Sequence, residues 1–274
     1  MNKTYDGYEF RDRVIEKVKT YFEEVLKAIR NSDSKKLDYL SKYIHEAKYT
    51  NLGFSVSGSG KGFGKDKFSF LVNSIKKSEA FHSGAIGDIL DVELYVDDIG
   101  VDIISDLITN LIQDILSEYT ENKLNNLKMN SNITHINTHF WNETLKQWDN
   151  KSMPVVYYSE PPYSKIYNYL LVPKMFTADE NQKERIVKKI FDDCVFKLYK
   201  EKIFDNELKY SKYIHELKDG DKIIYKNKVV QFINNEFGEG SAKEGKGYLT
   251  KNGLLHIIKN YDVVKKFLDS VIKN

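Results

Sequence analysis

Hydrophobic residues recur at every third or fourth position over residues 9–31, and this spacing predicts an amphipathic helix. A second helix is predicted to run to about Tyr49, because Asp33 or Ser34 can cap its N-terminus. Residues 68–77 have the same helical spacing. The first third of the chain is therefore predicted to be mainly helical.

Hydrophobic and polar residues alternate, or β-branched and aromatic residues cluster, in several short segments, and both patterns are typical of strands. Strands are predicted at residues 54–56, 89–97, 131–141, 155–158 and 167–172. The segment from Asp98 to Val101 is predicted to be a turn, after which Asp102 begins a long helix to about Leu127.

The pattern becomes mostly helical from about residue 178, where Asp179 can cap a helix. We therefore predict two regions, a mixed α/β core domain at 1–177 and a mainly helical C-terminal region at 178–274. The fold class predicted for the chain is α/β or α+β, with a small mixed sheet flanked by helices.

Composition narrows the classes of protein to which the chain can belong. The chain has 274 residues, of which 41% are hydrophobic, and a net charge of +2. It can therefore bury a core, and it lacks the overall basic charge that is typical of nucleic-acid-binding domains. Cys194 is the only cysteine, which excludes an intrachain disulfide and a cysteine-based zinc site. No secretory signal or membrane span is evident, so a cytoplasmic location is expected.

Three polar residues, Asp102, Asp106 and Asn110, follow one another at intervals of four and so line one face of the predicted helix. Short side chains of low helix propensity stand here, whereas other helices of this chain expose Lys and Glu. Oxygen ligands of this kind favour Mg²⁺ or Mn²⁺ over zinc. One hypothesis is a metal site formed by Asp98, Asp102 and Asp106. The alternative is that Asp102 caps the helix and the other residues bond to neighbouring loops.

A lysine, Lys174, follows the predicted strand at 167–172. Restriction-type nucleases combine carboxylates on strands with such a lysine, which stabilises the charge on the phosphate. The match is partial, because Val172 stands where those enzymes carry an acidic residue. The alternative is a lysine that leaves the sheet for water.

Glycines are frequent over residues 58–64, just before Lys65. The loop lacks the phosphate-binding pattern of nucleotide hydrolases, because Ser59 and Asp66 occupy positions that require Gly and Ser or Thr. The remaining hypothesis is a basic loop in which Lys61 and Lys65 contact nucleic-acid phosphates, or one that binds a small nucleotide.

Two histidines, His135 and His139, have the spacing of a zinc-binding helix, but their neighbours are typical of a strand, which would hold the rings apart. Trp141 and Trp148 lie in an aromatic-rich region. Such side chains stack on bases in some proteins, but they more often pack in a core or at a protein interface.

Three segments within residues 84–174 resemble those of an uncharacterised bacterial family. Its members share Ile-Gly-x-Asp-x-Ile-Ser-Asp before a helix containing Thr-Asn, a linker with tryptophan, and Leu-Leu-Val-Pro-Lys. Here these are Ile99–Asp106 with Thr109-Asn110, Trp141 with Trp148, and Leu170–Lys174. This chain departs from the pattern at Val101, where the family prefers proline. The resemblance implies a role in anti-phage or restriction-type defence and supplies no mechanism.

Two functional hypotheses follow. In the first, the chain is a metal-dependent nuclease of a defence system, in which Asp98, Asp102 and Asp106 hold Mg²⁺ or Mn²⁺ and Lys174 assists at the phosphate. In the second, it is a non-enzymatic sensor or interaction subunit that binds a partner protein, or a copy of itself, through the Asp102 face and the aromatic region.

Overall fold

The computed structural model describes residues 7–45, 49–50, 64–160, 165–174, 188–189, 191–243, 248–250 and 253–254. The chain divides into two compact units, Met1–Phe81 with Ile86–Thr177 (unit 1), and His82–Ala85 with Ala178–Asn274 (unit 2). None of the helices in the described ranges is long and apolar enough to cross a membrane. The predicted strand at 54–56, Lys61 and the predicted cap at Asp179 lie outside the described residues.

The first predicted helix is confirmed as α1, Gly7–Arg30. Its buried side chains recur at helical spacing and form one face that packs into unit 1; they are Phe10, Lys17, Val18, Thr20, Tyr21, Phe22, Val25, Leu26, Ala28 and Ile29. Lys27 and Arg30 lie in the last turn, where their charge complements the helix dipole.

Three further helices follow: α2 (Ser34–Ser41), α3 (Lys65–Lys77) and α4 (Glu79–His82). Asp33 caps α2 as predicted, because its side chain accepts a hydrogen bond from the backbone N–H of Lys36. The helix ends at Ser41, however, and so is shorter than the prediction to Tyr49.

The predicted strand at 89–97 is wrong, because Ile89–Tyr95 forms a helix, α5. Asp88 caps it in a reciprocal capping box: Asp88 accepts from the backbone of Leu90, and Asp91 accepts from the backbone of Asp88. The buried residues Ile89, Val92 and Tyr95 recur at helical spacing, so the same apolar run also satisfies the helical pattern.

The long helix predicted from Asp102 to Leu127 is present as two helices, α6 (Val101–Leu111) and α7 (Gln113–Asn126). They are separated at Ile112, whose φ of −97° and ψ of 9° depart from helical values. Beyond Ile112, α7 packs on the sheet.

A three-stranded antiparallel sheet completes the described part of unit 1, in the order β1 (Ile133–Asn142), β2 (Gln147–Glu160), β3 (Lys165–Tyr169). A four-residue turn at 143–146 joins β1 to β2, so that Trp141 lies opposite Trp148. The predicted strands at 131–141 and 155–158 are thereby confirmed, whereas β3 begins and ends earlier than the predicted strand at 167–172.

The described part of unit 2 consists of short elements around a buried aromatic cluster that includes Tyr199, Tyr210, Tyr213 and Phe232. A π-helical turn at Phe191–Val195 leads into α8 (Phe196–Asp205), which is followed by α9 (Glu207–Tyr210) and α10 (Lys226–Phe237). Two antiparallel pairs of two-residue strands, His215–Glu216 with Lys222–Ile223 and Ala242–Lys243 with Tyr248–Leu249, complete it. The mixed helix-and-sheet fold class predicted from the sequence is confirmed.

Candidate functional site

Two of the predicted metal ligands are exposed: Asp98 lies in the turn between α5 and α6, and Asp102 lies in the first turn of α6. Asp98 has a left-handed backbone with a φ of 64°. Asp102 was predicted to cap α6, and this is wrong. Gly100 occupies the capping position, and Asp102 is the second residue of the helix. A side chain at position 100 would place its Cβ 2.8 Å from Oδ1 of Asp102, so glycine leaves room for that carboxylate.

The remaining polar residues of this α6 face contact neighbouring segments of the fold. Oδ2 of Asp106 accepts a hydrogen bond of 3.1 Å from Nζ of Lys67 on α3. The side chain of Asn110 donates to the carbonyl of Asp106 and accepts from the backbone N–H of His45. These contacts are the ones expected if the face stabilises the fold by bonding to neighbouring segments.

The predicted phosphate-contacting lysines are distributed over different elements. β3 ends at Tyr169, so Lys174 lies beyond the strand, and it is exposed. Lys65 begins α3 and forms a 3.1 Å ion pair with Asp38, in which both side chains are about two-thirds exposed. Within the described ranges, no group of three or more His, Cys, Asp or Glu side chains is placed to hold a metal ion.

The histidine pair and the tryptophans both belong to the β1–β2 hairpin. His135 and His139 lie on one face of β1, and an extended strand places residues four apart about 13 Å from each other, too far to share a zinc ion. Trp141 and Trp148 are buried against Tyr21, with ring centroids 5.1 and 5.8 Å from it. Core packing is therefore the role of the two indoles, as the more common alternative predicted.

The most buried charge in the described residues is Lys17, which occupies a position of the α1 pattern where a hydrophobic residue is expected. Its ammonium group is fully buried and lies 2.8 Å from Asp114, 2.8 Å from Glu143 and 2.6 Å from the carbonyl oxygen of Trp141. Lys151 and Arg13 extend the cluster; they contact Glu118 at 3.1 and 2.8 Å.

Three acids and three bases therefore balance in this cluster, which joins α1, α7 and the hairpin. Burial raises the pKa of Asp114 more than Lys17 and Lys151 lower it. Burial also opposes ionisation of Glu118, but hydrogen bonds from Arg13 and Lys151 outweigh it and lower that pKa. A hydrogen bond from Lys17 likewise lowers the pKa of Glu143 against the effect of burial. The lysines occupy the positions between carboxylates that a metal ion would need.

Strand β1 is at the edge of the sheet, and three contacts, one on β1 and two on β2, show which cross-strand pairs direct their backbone groups away from each other. The carbonyl of Trp141 accepts from Lys17, and the N–H of its partner Trp148 donates to the hydroxyl of Tyr39. The carbonyl of Pro154, which lies opposite His135, accepts from Ser117. The backbone groups of these cross-strand pairs therefore point outward, away from each other.

Because the hydrogen-bonding direction alternates along an antiparallel strand, the same outward orientation applies to His135, Asn137 and His139. All three residues are exposed. In addition, the ten residues of β1 include no Lys, Arg, Asp, Glu or Pro, the residues that commonly protect an edge strand from pairing. We call His135, Asn137 and His139 the open edge of β1.

The open edge adjoins exposed polar residues on the same face of the hairpin, and the ammonium of Lys42 lies 4.9 Å from the ring centre of the neighbouring Tyr43. Asn150 and Ser152, which lie opposite His139 and Asn137, are exposed. The ring of Tyr43 stacks on that of His139 with centroids 3.6 Å apart. The signal for this surface was present in the sequence, as an uncharged run of strand-forming residues in a chain with 30% charged residues.

Unit 2 contains a polar cleft of about 670 Å³ beside α10. Several of its polar groups bond to each other or to the backbone: Asn235 donates to the hydroxyl of Tyr213, Lys228 donates to Gln231, and Asn234 exchanges two hydrogen bonds with the backbone of Ala242. These polar groups therefore stabilise the structure of unit 2 through hydrogen bonds within it.

Comparison with known proteins places the chain within a family but assigns no activity. No curated protein and no solved structure matches it. A family model described as "Domain of unknown function (DUF8370)" matches residues 5–184. That range includes α1, the α6 face, the buried charge cluster and the whole hairpin. Since the match extends over more than half of the sequence, the chain belongs to the DUF8370 family of domains of unknown function.

Proposed function

We propose that this chain is a non-enzymatic interaction subunit of a bacterial anti-phage defence system, located in the cytoplasm, and that it binds a protein partner through the open edge of β1. The observation that carries the proposal is the row of outward-facing backbone groups at three exposed residues of an edge strand that has no Lys, Arg, Asp or Glu. A strand added to such an edge gains main-chain hydrogen bonds, and side chains on the adjoining face provide selectivity. The defence role is supported by the resemblance of residues 84–174.

The surroundings of the edge also favour a protein partner. Interfaces are depleted in charged residues at their centre, and aromatic residues are enriched there. The patch beside the open edge has exposed Asn150 and Ser152 and the Tyr43–His139 stack. A surface for nucleic acid would present a row of lysine and arginine side chains to the phosphates, and β1 contains neither residue.

The metal-dependent nuclease is the competing proposal, and it depends on different residues. It requires the exposed carboxylates of Asp98 and Asp102 to bind Mg²⁺ or Mn²⁺ together with Asp106, although Asp106 contacts Lys67. The two proposals can therefore be separated by variants at positions that do not overlap.

The test is a phage-challenge assay in a bacterial host that expresses the chain within its own operon. The edge variant is Asn137→Pro, which removes an outward N–H, and its matched control Asn137→Thr retains that donor. The metal variant is Asp102→Ala combined with Asp106→Ala. We expect the first to abolish protection, and the threonine control and the aspartate variant to retain it.

The opposite result, protection lost only in the aspartate variant, would overturn the interaction proposal in favour of the nuclease. Calorimetric titration of manganese into the purified protein gives an independent measurement. Micromolar binding that the aspartate variant loses would likewise favour the nuclease. Absence of protection by the wild-type operon against a broad panel of phages would contradict the defence role.

A further inference from the structure

Both ends of β1 are closed by contacts within the chain. At the start, the N–H of Ile133 donates to the carbonyl of Asn130 in a 3-10 turn. At the other end, the carbonyl of Trp141 accepts from the buried ammonium of Lys17. The outward-facing residues between these two points are His135, Asn137 and His139.

This window is symmetric about Asn137. One histidine lies two residues before it and the other two residues after it, and the closed ends lie at equal distances beyond them. An interface between identical chains related by a two-fold axis must be self-complementary, so that residue i faces j and j faces i. An antiparallel pair of β1 strands centred on Asn137 meets this requirement, since His135 then lies opposite the second copy's His139, and the two Asn137 residues lie opposite each other.

The hydrogen-bonding pattern agrees with this register. Residues whose backbone groups point outward form the hydrogen-bonded pairs of an added antiparallel strand, and each such pair exchanges two bonds. Three pairs therefore supply about six main-chain hydrogen bonds. Like charges directly opposite each other destabilise cross-strand pairs, and the open edge carries no Lys, Arg, Asp or Glu that would meet its equivalent.

We infer that the partner at the open edge is a second copy of this chain, joined by antiparallel pairing of the two β1 strands about a two-fold axis at Asn137. This inference rests on the proposed function, whose partner it names. It predicts a six-stranded sheet that continues through the dimer.

The experiment is sedimentation velocity over a range of protein concentrations, with charge exchange at the symmetry axis. Asn137→Lys and Asn137→Asp each place two like charges opposite each other, and we expect each to raise the dissociation constant by about tenfold or more. A mixture of the two variants places Lys opposite Asp and should recover association. Asn137→Thr is the matched uncharged control and should dimerise like the wild type. Unchanged circular dichroism spectra establish that each variant is folded.

A monomeric wild-type protein at all concentrations would overturn the inference. A dimer that survives in both charged variants would overturn it too, because the contact would then lie elsewhere. If the wild-type protein is monomeric and the Asn137→Pro variant nevertheless loses phage protection, the proposed function stands with a different partner. Conversely, a dimer that behaves as expected while Asn137→Pro still protects would support the second copy and contradict the proposed function.

Discussion

The ammonium nitrogen of Lys17 lies 2.8 Å from Oδ2 of Asp114, a residue 97 positions further along the chain, and neither side chain is more than 4% exposed. The pair joins α1 to α7, and the Trp141 carbonyl brings the hairpin into the same contact. Asp114 Oδ1 is buried without a hydrogen bond from the described residues. The carboxylate therefore depends on Lys17, with help from Lys151 at 3.8 Å, for compensation of its charge.

Replacing Lys17 with methionine should strongly destabilise the protein. The change keeps a long side chain but leaves Asp114 buried without its main counter-charge. Removal of one partner from a buried ion pair costs about 3–5 kcal/mol. Urea denaturation followed by circular dichroism measures this as a fall in the free energy of unfolding.

The double variant Lys17→Met, Asp114→Leu is the control for that experiment. Both buried charges are then absent, and Glu143, whose side chain is 32% exposed, can turn to solvent. We expect the double variant to recover most of the lost stability, because a buried pair can often be replaced by apolar side chains of similar volume at little cost. If it remains as unstable as the single variant, packing rather than charge determines the effect.

Glu118 should make the stability of unit 1 sensitive to acid. Its pKa is lowered in the folded state from the usual 4.5, so the unfolded chain binds the proton more tightly. Its stabilising effect is therefore fully present above the unfolded-state pKa and is lost as the pH falls through the folded-state pKa. The difference in unfolding free energy between the wild type and Glu118→Gln should shrink over that range.

Glu16→Gln, at an exposed position of α1, is the matched control for loss of one surface carboxylate. A difference between wild type and Glu118→Gln that does not change with pH between neutral and strongly acidic conditions would contradict the role assigned to the Arg13 and Lys151 contacts.

The capping box at Asp88 should be essential for α5. Asp88→Ala removes the acceptor for the Leu90 N–H, and loss of such a cap typically costs about 1 kcal/mol. Asp97→Ala, in the exposed turn after the helix, is the control and should have a much smaller effect. Equal shifts in the urea midpoint for the two variants would show that the cap does not hold the helix in place.

The left-handed backbone of Asp98 predicts opposite effects for two substitutions. Asp98→Gly should be neutral or stabilising, because glycine adopts a φ of 64° without steric penalty. Asp98→Val should lower the thermal midpoint, since a β-branched residue is strained in that region. An equal response to both substitutions would mean that the turn relaxes to another conformation.

Local sequence patterns correctly predicted those helices and strands for which the pattern favours a single type of secondary structure. The spacing of α1, the Asp33 cap and the Thr-, Asn- and Ile-rich composition of β1 each favoured one structure, and the fold contains it. Residues 89–95 were ambiguous, because Leu90, Val92 and Leu94 alternate while Ile89, Val92 and Tyr95 follow a helical period. The reciprocal hydrogen bonds of the Asp88 capping box favour the helix.

The functional surfaces were harder to predict, because they depend on contacts between distant residues. Lys17 continues the buried row formed by Tyr21 and Val25, which marks it as unusual, but the sequence does not show that Asp114 and Glu143 meet it. Similarly, the sequence pattern shows that the face bearing Asp106 and Asn110 is polar. Its contacts with Lys67 and His45 are evident only in the folded chain.

The two indoles of this chain, Trp141 and Trp148, both lie in unit 1, packed around Tyr21. Intrinsic tryptophan fluorescence therefore reports on unit 1 alone, whereas amide absorption in the far ultraviolet reports on both units. Denaturation curves recorded with the two optical probes would coincide if the units unfold together and separate if they do not. The chain thus carries a built-in spectroscopic label for the unit that contains the open edge of β1.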